Sequence, residues 1–177
     1  MGDGFAESKY MKEILEFHCP RYDELPNLDL YMDQVLSIIE EVLKPFSFDE
    51  KLLTSSMVNN YVKQRVIAPP VNKKYSRDQL VYLLTVCILK KVFSISEIYR
   101  MITIQMETSP IETAYNTFCD MTEQALRMTF TGETFPERTG KKEEVLLMGS
   151  AIMSFAQKVL AQKYLEYRLE KDHSEEV

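Results

Sequence analysis

The chain has 177 residues, a formal net charge of −6, 45% hydrophobic and 27% charged residues. This composition excludes disorder throughout, and the length suits one domain, or one small domain with an appendage. Such a chain buries about two-thirds of its unfolded surface and needs no disulfide or metal staple. Five glycines and seven prolines argue against a turn-rich all-β fold, and three scattered cysteines (Cys19, Cys87, Cys119) against a disulfide framework or zinc ribbon.

Met1 is not followed by an apolar core with a cleavage site. The longest apolar run, Leu80 to Leu89, is half the length a bilayer requires. The expectation is a cytoplasmic protein with reduced thiols and no membrane association. A short amphipathic helix is expected around Tyr10, Ile14 and Phe17, ending before Pro20. From Asp29 to Lys44 the apolar residues Leu30, Tyr31, Val35, Ile38, Ile39, Val42 and Leu43 fall at helical spacing, and Pro45 closes the helix. Thr54 or Ser55 can cap a third helix running to about Gln64. Met57, Val58, Tyr61 and Val62 form its inner face, and Ser56, Asn59, Asn60 and Lys63 its outer face. Pro69 and Pro70 forbid helix beyond it. The β-branched and aromatic residues around Asn72-Lys73 predict a small hairpin or extended wing between Val66 and Tyr75.

Ser76 to Gln79 is a capping-box pattern opening a helix, Leu80 to Val92, that is apolar almost all round and so belongs at the centre of the core. Ser94 to Glu97 is a second such box. Ser109 to Glu112 is read as a third, with Pro110 at the first helical position, opening a helix through Phe118 and Leu126. Residues 131–141 are a loop. A long helix from about Lys142 to Lys171 carries the stripe Val145, Met148, Ile152, Phe155, Val159, Leu160, Tyr164 and Tyr167, and a frayed tail follows from Asp172. That stripe serves either a dimer contact or packing on the preceding helix. A small-molecule pocket between these two helices would be lined by Phe118, Met121, Phe155 and Tyr164.

Charge becomes informative when divided along the chain. From Lys51 to Arg100 there are nine basic side chains against two acidic ones, a net of +7, while the remainder carries −13. A cationic middle inside an acidic chain is a surface for a polyanion. Ser56, Asn59 or Asn60, and Lys63 recur every three to four residues and share a face that fits a major groove. Asn offers bidentate hydrogen bonding to adenine, worth roughly 1–3 kcal/mol of discrimination. Ser55 and Ser56 lie at the helix start, where free backbone N–H groups hold phosphate. Lys73, Lys74 and Arg77 lie where a flanking phosphate strand would run. Two histidines, His18 and His173, and no Gly-rich phosphate loop give no catalytic set, metal-ligand spacing or cofactor motif. No enzyme activity and no cofactor are expected.

The order capped short helix, proline-containing hairpin, capped central helix, capped short helix resembles a winged helix-turn-helix of the MerR type. Thr54 to Pro70 resembles that family's recognition helix and its exit, with Tyr61 matching the anchoring Tyr and Ile67 the residue that opens the wing. Tyr75-Ser76 matches the Tyr-Ser that closes the wing, and Phe93-Ser94-Ile95-Ser96-Glu97-Ile98 looks like the family's Phe-Ser-x-x-Glu-Ile segment. Arg65 stands where the family usually has Gly, and Asn59 where it has Arg. Residues 25–35, Asn59 to Lys63 and Lys73 to Arg77 are also similar to the bacterial domain of unknown function 1836 family, over about residues 20 to 105.

The resulting expectation is an all-α protein with a minor β hairpin: a MerR-like winged helix-turn-helix with additional C-terminal helices. Residues 1–26 would be an extension, 27–106 the DNA-binding domain, and 107–177 a helical region for dimerisation or ligand. Ser55, Ser56, Asn59, Asn60, Lys63, Arg65, Lys73, Lys74 and Arg77 would contact duplex DNA. The MerR resemblance implies a homodimer formed through the C-terminal helix. The alternative is an interaction module holding an acidic protein through residues 51–100.

Overall fold

The computed structural model describes residues 4–48, 51–134 and 143–175. Among these the fold is all-α: seven α-helices and one pair of two-residue strands.

Helix α1 (Lys9–Leu15) starts at Ser8, whose hydroxyl accepts from the Met11 N–H at 3.3 Å. Strand β1 (Leu30–Tyr31) runs directly into α2 (Met32–Val42). The helix expected from Asp29 thus begins three residues later, because Leu30 and Tyr31 pair antiparallel with β2 (Lys74–Tyr75), Leu30 opposite Tyr75 and Tyr31 opposite Lys74. After α2, Pro45 sits in a 3-10 turn, Lys44–Phe46. Phe46 is buried there between Phe17 and Phe155, with ring centroids at 4.7 and 5.2 Å.

Helix α3 (Ser55–Lys63) is capped by Thr54, whose Oγ1 accepts from the Met57 N–H at 3.2 Å. At its far end the N–H of Val66 bonds the Tyr61 carbonyl (2.9 Å) and that of Arg65 the Val62 carbonyl (3.0 Å). This is a Schellman termination, with Arg65 in the left-handed position at φ +59°. The hairpin turn falls where the sequence puts it. Val71 and Lys74 exchange backbone bonds at 3.0 and 2.9 Å, and Asn72 and Lys73 take φ +50° and +65°, the left-handed pair that a two-residue hairpin requires. Residues 66–70 are not a strand, however. The second strand comes from Leu30–Tyr31 instead, since Pro69 and Pro70 have no N–H to give a ladder.

Helix α4 (Arg77–Leu89) has the predicted box, Ser76 accepting from the Gln79 N–H and Gln79 from the Ser76 N–H. Ten of its 13 residues are buried. Leu80, Leu83, Leu84, Ile88 and Leu89 are fully enclosed, each worth about 1.5–3 kcal/mol of apolar burial. The buried Gln79 amide donates to the carbonyls of Ala68 (2.7 Å) and Pro69 (3.2 Å), so the core helix itself holds the chain leaving α3.

Helix α5 (Ile95–Thr108) has its Ser94/Glu97 box. Helix α6 (Ile111–Thr131) does not begin as expected. Ser109 is extended at the end of α5, Pro110 takes the cap position, and no side chain caps the helix. Helix α6 ends at Gly132, φ +76°. Helix α7 (Glu143–Glu175) packs chiefly along α6 and continues four residues into the segment expected to fray, as far as Glu175. Residues 135–142, most of the predicted loop, lie outside the described residues.

The buried side chains form one continuous core from Ile14 to Val159. Met148, Ile152, Phe155 and Val159 of the α7 stripe belong to it, so that stripe packs within the protomer. By length and composition alone α7 is apolar enough to cross a bilayer, which the sequence reading of Leu80–Leu89 overlooked, and a third of its most apolar window is buried in the fold.

Candidate nucleic-acid interface

Helix α3 presents two different faces. Val58 and Tyr61 are buried, and burial raises the Tyr61 hydroxyl above its usual acidity range, so it remains a neutral anchor. Ser55, Ser56, Asn59, Asn60 and Lys63 are all exposed. Met57, expected on the inner face, is 37% exposed and lies beside Lys90, whose Nζ is 3.8 Å from its sulfur. One residue displaced around the helix from Val58 carries it past the buried stripe. Lys90 also donates to the Leu52 carbonyl just before α3.

Beyond α3, Arg65 and Lys73 are exposed, both on left-handed backbone that glycine adopts without penalty. Lys74 is half-buried, its ammonium 4.9 Å from the centre of the Tyr31 ring, itself 50% exposed. Arg77, in the first turn of α4, is also half-buried. Its Nε donates to the Pro26 carbonyl (3.2 Å) and its guanidinium lies 4.9 Å from the Tyr22 ring. The neighbouring Asp78 accepts from the Tyr22 hydroxyl at 2.7 Å. That bond, with burial behind it, raises the tyrosine's acidity range. Tyr75, at the close of the expected wing, is 2% exposed, and burial raises its hydroxyl as it does that of Tyr61.

The electrostatics separate this surface from the rest. Among the described residues, no ion pair involves Lys63, Arg65, Lys73, Lys74 or Arg77. Two neighbours of these cations were not anticipated. Lys90 belongs to the cationic segment by sequence, and the fold brings it beside α3. Tyr31 lies outside the buried stripe expected of α2, because it alternates with Leu30 in β1 opposite Lys74-Tyr75.

Of the side chains expected to line a pocket between α6 and α7, Phe118 and Phe155 are buried in the core. Phe155 is fully buried, and Tyr164 is 44% exposed with its ring edge-on to Phe5 at 5.3 Å. A cavity of about 40 Å³ lies where α4, α5 and α6 meet Met148 of α7, and Phe118 lines it with Val81, Tyr82, Ile102 and Tyr115.

The molecule is thus an all-helical protein with a minor strand pair and an uncompensated cationic face. The chain belongs to the family defined as domain of unknown function (DUF1836), which matches residues 20–118. No curated protein and no solved structure matches it.

Proposed function

We propose that this protein binds duplex DNA and acts as a transcriptional regulator, with α3 in the major groove and the Asn72-Lys73 turn as a short wing. The observation that carries the reading is the set of five unpaired cations on α3, its exit, the turn and the start of α4. Arg65 and Lys73 fill left-handed positions that glycine would take at lower cost, which supports a use for their charge. The order β1, α2, α3, turn, β2, α4, α5 is consistent with a winged helix-turn-helix of the MerR type. Asn59 and Asn60 would read base edges, Ser55, Ser56 and the free N–H groups of the first turn would hold one phosphate, and the cations would hold others. The same reading has the protein working in the cytoplasm as a homodimer formed through α7, whose Leu165 and Leu169 are 62% and 59% exposed.

The test is an anisotropy titration of the whole protein against random and genomic duplexes at two salt concentrations. With about five phosphates neutralised, affinity should fall several hundred-fold between roughly 50 and 200 mM salt. Lys73→Ala with Lys74→Ala should weaken binding to every duplex alike and lower the salt slope by about 2. Asn59→Ala should narrow the gap between preferred and random sequences by roughly 1–3 kcal/mol. Equal affinity of the wild type and the double lysine variant at low salt would defeat the reading. Binding to polyglutamate but to no duplex would assign the surface to an acidic protein.

A further inference from the structure

Cys19 and Cys119 lie a hundred residues apart in the chain, and both are fully buried. Their sulfurs are 3.1 Å apart, each a free thiol, about 1 Å beyond the ~2.05 Å of a covalent bond. Cys19 belongs to the extended segment between α1 and β1, and Cys119 to α6.

The surroundings fix this approach on both sides of the sulfurs. The Cys19 N–H donates to Glu123 Oε1 at 2.8 Å, and the Cys19 carbonyl accepts from Arg21 Nη1. Arg21 in turn reaches Glu123 and Asp120, both at 2.7 Å. One residue on, the Tyr22 N–H donates to Asn116 Oδ1 at 2.8 Å. Residues 19–22 are therefore strapped along one face of α6, with the two thiols in the middle of the strap. Cys87 makes the contrast. It is equally buried, but its sulfur donates to the Leu52 carbonyl at 3.8 Å and not to another cysteine.

We propose that Cys19 and Cys119 are a reversible dithiol–disulfide pair that fastens the segment between α1 and β1 to α6. With hydrogen peroxide as oxidant, one sulfur attacks a peroxide oxygen, the O–O bond breaks, and a sulfenic acid and one water form. The second sulfur then attacks the sulfenic sulfur and displaces its oxygen as a second water. The two thiol protons leave in the two waters, both sulfurs are oxidised, and the peroxide is reduced. A small dithiol reverses the step by thiol–disulfide exchange and leaves as its own cyclic disulfide. The hydrogen bond to Cys119, with burial, holds the Cys19 thiol well above the usual thiol range. Selectivity comes from adjacency, not from an acidic thiol, and oxidation is slow and requires peroxide in excess.

The test uses the unaltered full-length protein. After incubation with excess hydrogen peroxide and removal of the oxidant, thiols are counted in denaturant and the non-reduced peptides are mapped by mass spectrometry. The expected result is a fall from three thiols to one, a peptide pair joining Cys19 to Cys119 that dithiothreitol separates, and Cys87 still free. The melting temperature of the oxidised protein should rise by roughly 5–15 °C, because the bond closes a long loop. A Cys87→Ala variant should give the same cross-link with no thiol remaining. Three surviving thiols, or Cys19 or Cys119 oxygenated without a link between them, would overturn the proposal. None of these readouts involves DNA, so they are independent of the function proposed above.

Discussion

Two regions of the molecule treat positive charge in opposite ways. Where α1 and the segment after it cross α6 and α7, cations meet carboxylates. Lys163 Nζ lies 2.8 Å from Glu13 and 3.2 Å from Glu166, Arg21 lies 2.7 Å from both Glu123 and Asp120, and Lys9 lies 2.7 Å from Glu170. Between α3 and the first turn of α4, the five cations of the candidate interface have no such partner. A matched and partly desolvated pair is tied to the folded state, and losing one member leaves the other stranded. An exposed unmatched cation contributes little to the fold and keeps its charge for a polyanion. The same two residue types therefore serve the fold in one region and stand without a carboxylate partner in the other, where the proposed function uses them.

The largest effect that distinguishes the regions is at Lys163. Its side chain is 6% exposed, between two glutamates and over the rings of Tyr10 (5.7 Å) and Phe48 (5.1 Å). Lys163→Ala removes the charge and the packed stem together, and should cost about 2–4 kcal/mol in denaturant unfolding. Lys163→Met keeps the stem and should recover more than half of that loss. A cost below about 0.5 kcal/mol for Lys163→Ala, the level of an ordinary surface change, would erase the distinction between the regions.

Arg21→Ala comes next, at about 1–2 kcal/mol, because it strips a half-buried carboxylate of its guanidinium. This substitution also has a pH signature. Burial pushes the Glu123 carboxyl upward, but the Arg21 bonds, the Cys19 N–H and the Arg21 charge outweigh it, leaving Glu123 below the usual glutamate range. A carboxyl lowered in the folded state contributes stability that is fully present above its unfolded value, about 4.3, and is lost as pH falls through the folded value. The unfolding midpoint of the wild type should therefore drop as pH is taken from 6 towards 3. Arg21→Ala should flatten that slope, and an unchanged slope would show that the pair is not coupled to folding.

How far each region could be read in advance follows from the range of the interactions involved. The helices of the cationic region are local objects. Thr54, Ser76 and Ser94 announce their own starts, and the apolar belt of α4 has only one place to go, so elements and outer face were legible from consecutive residues. The left-handed turn at Asn72-Lys73 was legible as a turn for the same reason. What escaped was non-local. Nothing near Tyr31 says that its strand partner lies 43 residues on, so it was read into α2. Nothing near Cys19 names Cys119, so three cysteines looked scattered. Nothing near Glu13, Glu123 or Glu170 names Lys163, Arg21 or Lys9, because these ion pairs join α1 and the segment after it to α6 and α7 across the fold. The α6 start was misread because a Ser-Pro-x-Glu string satisfies the capping pattern, while α5 holds Ser109 extended at its own end.

The smallest effect is also the sharpest test, because it moves the two properties of the cationic region in opposite directions. Arg65 closes α3 at the left-handed position of a Schellman motif, where a side chain costs roughly 1 kcal/mol relative to glycine. Part of that strain is offset because glycine loses more backbone freedom on folding. Arg65→Gly should therefore stabilise the protein by only about 0.5 kcal/mol, read as a shift in denaturant midpoint at constant slope. On the proposed function the same substitution would remove one phosphate contact, so the salt slope of DNA binding should fall by about 0.9 and affinity should drop at low salt. Lys73→Gly, at φ +65°, should repeat the pattern. A gain in stability joined to a loss of DNA affinity is what a strained cation retained for binding produces. A gain with affinity unchanged would make Arg65 an ordinary surface residue and confine the interface to Lys63, Lys73, Lys74 and Arg77.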